Sequence, residues 1–188
     1  LYLHWPFCRA KCPYCDFNSH ISNDVDTKIF GDALCTEMTH MASLMPSRPP
    51  LSSLFFGGGT PSLMPPILVE RLIRHAEDLF GFTGDIEITA EANPTSVEAE
   101  AMLGFQKAGV NRVSLGVQSL DDAGLRFLGR EHSTADALQA LDKVNKAFKR
   151  ASIDLIYALP DQSPKAWKAM LGQALSLGLG HLSLYQLT

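Results

Sequence analysis

Cys8, Cys12 and Cys15 bring three thiols into one short run, in a CxxxCxxC spacing directly after the extended stretch Leu1-Tyr2-Leu3-His4-Trp5. Three close thiolates can hold three corners of a cubane iron–sulfur cluster. No fourth cysteine lies near, so one iron would stay open, and an open iron is a reactive site as well as an electron store. Zinc is the competing reading, because His4 or His20 could complete a Cys3His tetrahedron. On spacing alone both metals stay open. A disulfide framework is a poor fit: four cysteines in 188 residues are sparse, and three of them crowd one loop. Cys35 falls in a helical pattern with Phe30, Leu34, Met38 and Met41 and reads as a small buried apolar residue.

Further polar signals lie at the ends of extended stretches or within them. Gly57-Gly58-Gly59-Thr60-Pro61-Ser62 clears side chains from the backbone, so a ligand can approach main-chain amides and carbonyls. The same run also reads as a tight turn into a helix capped by Ser62. No Gly-Lys-Ser/Thr follows it, so it is not a phosphate loop, and it is not a GxGxxG fingerprint. Glu91 shares a strand face with Glu87 and can accept hydrogen bonds from an ammonium at the strand's far end. Gln118 ends another strand. Asp154 sits inside the apolar run Ile153-Asp154-Leu155-Ile156-Tyr157, where a carboxylate needs a partner: Arg112, Arg130 or a ligand hydroxyl. Arg130 could clamp a carboxylate bidentately. A ligand with a carboxylate, an amine and sugar hydroxyls beside an open iron fits S-adenosylmethionine.

The elements that must position these residues alternate. Strands are predicted near 1–5, 51–57, 85–91, 112–118, 151–157 and 181–187, mostly as apolar runs of the kind covered on both faces. Helices are predicted over about 24–45 and 65–80, with Gly81 as a stop. Another follows the capping-box signature Thr95-Ser96-Val97-Glu98 and runs to about Ala108. A fourth covers roughly 135–149 after Ser133 and Thr134, and a fifth starts at Ser163-Pro164 and ends near Gly178. Six βα alternations imply an α/β fold with a parallel sheet and right-handed crossovers. Polar signals at the C-terminal ends of successive strands favour a barrel-like arrangement, full or partial, over an open doubly wound sheet. One domain is expected. Both ends run in extended apolar stretches, which points to a piece of a longer protein.

With 46% hydrophobic residues the chain can bury a substantial core. A net charge of −4 without a basic block gives no nucleic-acid footprint. No apolar run approaches a membrane span, so no transmembrane segment is expected. Free, closely spaced cysteines suit a reducing compartment, and the cytoplasm is the expected location.

The cysteine triad after a strand, followed by Gly57-Gly58-Gly59-Thr60-Pro61-Ser62, resembles the radical S-adenosylmethionine superfamily. Tyr2-Leu3-His4-Trp5-Pro6-Phe7-Cys8, Leu115-Gly116-Val117-Gln118-Ser119, Gly129-Arg130-Glu131-His132 and Ile153-Asp154-Leu155-Ile156-Tyr157-Ala158-Leu159-Pro160 resemble its oxygen-independent coproporphyrinogen III oxidase group. The resemblance spans the whole chain. It implies a partial (β/α)6 TIM-like barrel of the radical SAM type, with residues 1–188 as its core domain and a C-terminal domain beyond Thr188. It implies that Cys8, Cys12 and Cys15 ligate a 4Fe–4S cluster whose open iron chelates the amine and carboxylate of S-adenosylmethionine. Gly58, Gly59 and Thr60 would line the methionyl amine and adenine. Glu91 would hold the amine and Arg130 the carboxylate, while Gln118 and Asp154 would contact the ribose hydroxyls. Tyr2 would lie beside cluster and cofactor, and Tyr14 near the adenine. A low-potential electron donor is implied as a partner.

Within this group the oxidases carry a further cysteine two residues after the third. Here that position is Phe17, in Cys15-Asp16-Phe17-Asn18, a pattern similar to the HemW-type haem chaperones. That branch implies haem or porphyrin as cargo, haem-receiving proteins as partners, and haem-binding residues beyond Thr188. The alternative within the group is an enzyme that oxidatively decarboxylates porphyrinogen propionates by a 5′-deoxyadenosyl radical. The alternative of another class is a zinc-stabilised binding module.

Overall fold

The alternation of short apolar stretches with capped amphipathic segments folds into the predicted series. The computed structural model describes the backbone of residues 1–188 and all side chains except those of residues 96, 97, 99 and 100. In chain order the elements are β1 (Tyr2–Trp5), β2 (Phe7–Cys8), β3 (His20–Ile21), α1 (Thr27–Leu44), β4 (Leu51–Gly58), α2 (Pro66–Phe80), β5 (Phe82–Ala92) and α3 (Ser96–Ala108). They continue with β6 (Arg112–Gln118), α4 (Asp122–Phe127), α5 (Thr134–Ala147), β7 (Arg150–Tyr157), α6 (Pro164–Ser176) and β8 (His181–Gln186). Six strands pair side by side in the order β1-β4-β5-β6-β7-β8, every pairing parallel. This is the predicted partial barrel: a parallel sheet whose neighbours follow chain order, with helices packed on its outer face.

The helices start where the caps direct. Asp26 accepts from Ile29 N–H at 2.9 Å, and Thr95 and Ser163 accept from the amides three residues on. Ser133 and Asp136 close a reciprocal capping box. Two expectations are corrected. Ser62 does not cap a helix; it lies in a single 3-10 turn, Pro61–Leu63, and α2 begins four residues later with Pro66 at its first position. Glu98 does not complete the capping box of α3, because its carboxylate is drawn into a buried network described below.

The strands also differ from continuous apolar runs. In β6, Val113, Leu115 and Val117 are buried against the helices, while Arg112, Ser114, Gly116 and Gln118 occupy the opposite face. The outer core joins Leu54, Phe56, Leu72, Val113, Leu115, Ile153 and Leu155, each fully buried. Truncating Phe56 to alanine would cost about 3–5 kcal/mol by the usual cavity penalty. The inner face is polar and hydrogen-bonded. Arg112 donates to Thr89 Oγ1 at 3.3 Å and to Ser152 Oγ at 2.9 Å, and Ser114 and Ser152 hydroxyls meet at 2.9 Å. Polar side chains are tolerated there because each finds a partner.

Candidate cofactor and metal site

The cysteine loop is an excursion from β1 that closes on itself. β2 and β3 pair across its base, with His20 N–H donating to Pro6 O at 2.7 Å and Ser22 N–H to Cys8 O at 3.1 Å. Within it, Cys15 N–H donates to Cys12 O at 3.0 Å, a turn that puts the last two thiols on one tight bend. The loop is fastened to the end of β4 by Gly59 N–H on Trp5 O at 2.7 Å and Thr60 N–H on Phe7 O at 2.9 Å. Glycine is required there: a Cβ at Gly59 would stand 2.8 Å from Phe7 O and 2.9 Å from Cys8 Sγ. Gly58 has φ +118°, and a Cβ on it would meet the His4 ring at 2.7 Å.

All four cysteines are free. Among the described residues, no group of three His, Cys, Asp or Glu side chains closes on a single metal ion. Thiolates on a cubane bind different irons, so their sulfurs stand farther apart than around one zinc. His4 is engaged elsewhere, its Nε2 2.9 Å from Asn18 O and its Nδ1 3.5 Å from the Tyr2 hydroxyl.

A cavity of about 380 Å³ opens at the C-terminal ends of the strands, within the size range of small-molecule sites. Cys8, Cys12, Cys15 and Tyr14 form one wall, and Gly58, Gly59 and Thr60 a second. Glu91, Gln118, Arg130 and Asp154 face it from the barrel end. Eleven of the twelve residues singled out from the sequence thus share one cavity. Tyr2 is the exception. It pairs with Phe55 in register, one layer below the His4–Gly57 pair, and stacks on Phe55 with centroids 5.9 Å apart. It has 54% of its surface exposed and lies close enough to Glu91 to feel that carboxylate's charge.

Burial sets the state of the two cavity carboxyls. Glu91 Oε2 accepts from Gly58 N–H at 3.1 Å. Burial pushes its carboxyl up to about 7, with Asp154 adding repulsion and the Gly58 amide opposing. Burial also raises Asp154, whose Oδ1 accepts from Ser114 at 3.2 Å. Of the partners left open for Asp154, Arg112 reaches Ser152 and Thr89 and acts on it through charge alone, while the hydroxyls of Ser183 and Ser114 hold the carboxyl directly. Gln118 has φ +67°, with Ser119 N–H folded back onto Val117 O at 2.8 Å. A side chain held in that sparsely populated region signals a site worth its strain. His132, buried and pushed down to about 4 by desolvation and Arg130, is neutral and donates from Nε2 to the same Val117 carbonyl at 3.2 Å.

Arg130 is the most connected side chain of the site. Nη1 donates to Cys12 Sγ at 3.2 Å and to Tyr14 Oη at 3.5 Å. Nη2 donates to Asn93 Oδ1 at 2.5 Å and to Gly116 O at 3.0 Å. Its Nε–H is buried with no partner among the described residues. A buried guanidinium donor left over, a carboxyl held half-protonated and a glycine wall that a Cβ would fill together suit a zwitterionic ligand beside a metal group. The sequence reading missed Asn93 and Glu98 as parts of this site. The Glu-x-Asn-Pro run at the end of β5 was the available signal for Asn93; Glu98 was hidden by its resemblance to a capping residue.

Residues 2–174 match the model of the radical SAM superfamily. The mouse protein named radical S-adenosyl methionine domain-containing protein 1, mitochondrial, is 43% identical over the whole chain, which covers 42% of it. The heme chaperone HemW of Escherichia coli is 40% identical over the whole chain, covering 50% of that protein. The solved structure of coproporphyrinogen III oxidase (HemN) from Escherichia coli, described there as a radical SAM enzyme, superposes on all of the chain with a TM-score of 0.86 at 31% identity, the chain covering 43% of it. The chain therefore spans about half the length of the relatives it matches.

Proposed function

The chain belongs to the radical SAM superfamily, in the group that holds HemN and HemW, and we propose that it is the cofactor-binding core of a haem-trafficking protein. The family uses a 4Fe–4S cluster and S-adenosylmethionine. We assign the cluster to Cys8, Cys12 and Cys15, with the fourth iron left to the methionyl amine and carboxylate. When bound, this pair supplies one-electron chemistry that no side chain can perform.

The chain's own residues do the rest. Glu91, uncharged in part when buried alone, would accept as a full carboxylate from the N–H groups of the ligand's amine. Arg130 offers its spare Nε–H to the carboxylate. Asp154 and Gln118 accept and donate to the ribose hydroxyls, while Gly58, Gly59 and Thr60 give the ligand a wall of main-chain groups. Tyr14 closes the apolar side. The observation that carries this reading is the convergence of the triad, Glu91 and Arg130 on one cavity. We read residues 1–188 as a core domain, with a further domain after it supplying haem contacts. An electron donor and haem-receiving proteins are the partners expected. Free cysteines fit a reducing compartment, which for a bacterial protein is the cytoplasm; the mouse relative is mitochondrial by name. Among the described residues no helix is long and apolar enough to cross a membrane.

The chaperone reading is favoured over porphyrinogen oxidation by Phe17, which stands at the cavity rim where the oxidase pattern has a cysteine. The test is anoxic reconstitution of the full-length protein, followed by titration with haem and with coproporphyrinogen. Stoichiometric haem binding without porphyrinogen turnover supports the reading; turnover overturns it in favour of the oxidase.

A further inference from the structure

We propose that Glu98 is a positioning residue for the S-adenosylmethionine site, acting through Asn93 on Arg130. It touches neither the cavity nor the cysteines. It is 5% exposed, lies in the first turn of α3, and is hydrogen-bonded entirely to two loops of the site. Ser62, just past the glycine run, donates its hydroxyl to Oε2. Asn93, two residues past Glu91, donates its backbone N–H to the same oxygen at 2.7 Å and its amide Nδ2 to Oε1 at 3.3 Å. Among the described residues no lysine or arginine forms an ion pair with it. Its charge is instead met by these donors and by the N-terminus of α3.

The consequence lies in the orientation of Asn93. An ionised carboxylate only accepts, so the Asn93 NH2 must face Glu98. That leaves Oδ1 turned to Arg130 Nη2, at 2.5 Å. Arg130 is then drawn onto Gly116 O and Cys12 Sγ with its Nε–H unspent. A neutral amide at position 98 would remove the obligation. Asn93 could then present its NH2 to the guanidinium, donor against donor, and the fork would lose its hold. Glu98 thereby fixes Arg130 through Asn93, while the Ser62 hydroxyl helps hold the Glu98 carboxylate itself in place. A mere cap would bond back to the backbone at Thr95, whose side chain already satisfies the Glu98 N–H.

This rests on the assignment of the methionyl carboxylate to Arg130, and the test separates the two. S-adenosylmethionine binding is measured by calorimetry on anoxically reconstituted full-length protein for the wild type, Glu98→Gln, Arg130→Gln and the double variant. Glu98→Gln is expected to bind about tenfold more weakly, the loss of one charge-assisted contact. The double variant is expected to bind no more weakly than Arg130→Gln alone, because the path ends at Arg130. Wild-type affinity in Glu98→Gln, or losses that add in the double variant, would overturn the positioning role while leaving the Arg130 assignment intact. Wild-type affinity in Arg130→Gln would overturn both. Should Glu98→Gln not accumulate folded, Asn93→Ala cuts the same path one residue nearer Arg130 and carries the same two expectations.

Discussion

Arg130 Nη1 donates to Cys12 Sγ at 3.2 Å across 118 residues of chain. The approach depends on Gly129, whose φ of +65° turns the loop after α4 and whose missing Cβ lets it lie on Pro13; a methyl there would stand 2.7 Å from the proline ring. A cation donating to a cluster thiolate stabilises the reduced, more negative state. Replacing Arg130 by glutamine should therefore lower the cluster's reduction potential. A shift on the order of 50 mV is expected, since 59 mV corresponds to a tenfold change for one electron. Potentiometric titration followed by electron paramagnetic resonance measures it; an unchanged potential would disprove the contact's electronic role.

Glu91 makes unliganded stability fall as pH rises. Its folded carboxyl titrates at about 7, above the ordinary carboxylate value, so the folded state holds the proton longer than the unfolded chain. Stability is lost between the ordinary value near 4.5 and about 7, and the loss is then constant, about 3 kcal/mol at full extent. Glu91→Gln should melt several degrees above the wild type at pH 8 and level with it near pH 4. The same variant should bind S-adenosylmethionine at least tenfold more weakly at pH 8, where the wild type presents a carboxylate. Scanning calorimetry across pH, with and without ligand, reads both.

Gly59→Ala should loosen the cluster before it unfolds the barrel. The added methyl would press on Phe7 O and Cys8 Sγ and push the cysteine loop off β4. Its expected signature is reconstituted iron well below the wild-type load, with far-ultraviolet circular dichroism unchanged. A wild-type iron load would show that the loop can yield.

Gln118→Gly exchanges affinity for relaxed backbone. Glycine in a strand ordinarily costs about 0.5–1 kcal/mol, but relief of a left-handed φ of +67° returns about as much or more. The melting temperature should stay within a few degrees of wild type, while S-adenosylmethionine affinity falls about tenfold.

The architecture was legible because each local signal agreed with the next. Caps at Thr95, Ser133 and Ser163 mark helix starts, and the strand stretches match the observed bounds within a few residues. What escaped was set by contacts distant in sequence. Helix α4 is short and carries Gly124, which looks like a breaker, yet a Cβ there would meet Ser119 Oγ at 2.7 Å; the glycine is demanded by packing. The two-residue pairing of β2 with β3 has no periodicity to detect. The partial alternation in β6 was masked by small residues, Ser114 and Gly116, that suit a narrow barrel interior. In the site, residue types were enough to gather the cavity's lining, because chemistry placed after successive parallel strands converges. Glu98 went unseen because its partners, Ser62 and Asn93, lie on other loops.

The most direct measurement is electron–nuclear double resonance on the reduced, anoxically reconstituted protein with S-adenosylmethionine labelled with ¹⁵N at the amine. We expect a nitrogen coupling strong enough to require direct bonding to iron, abolished in Cys12→Ala. A reduced cluster whose resonance ignores the label, or a metal centre without an accessible iron, would contradict the account.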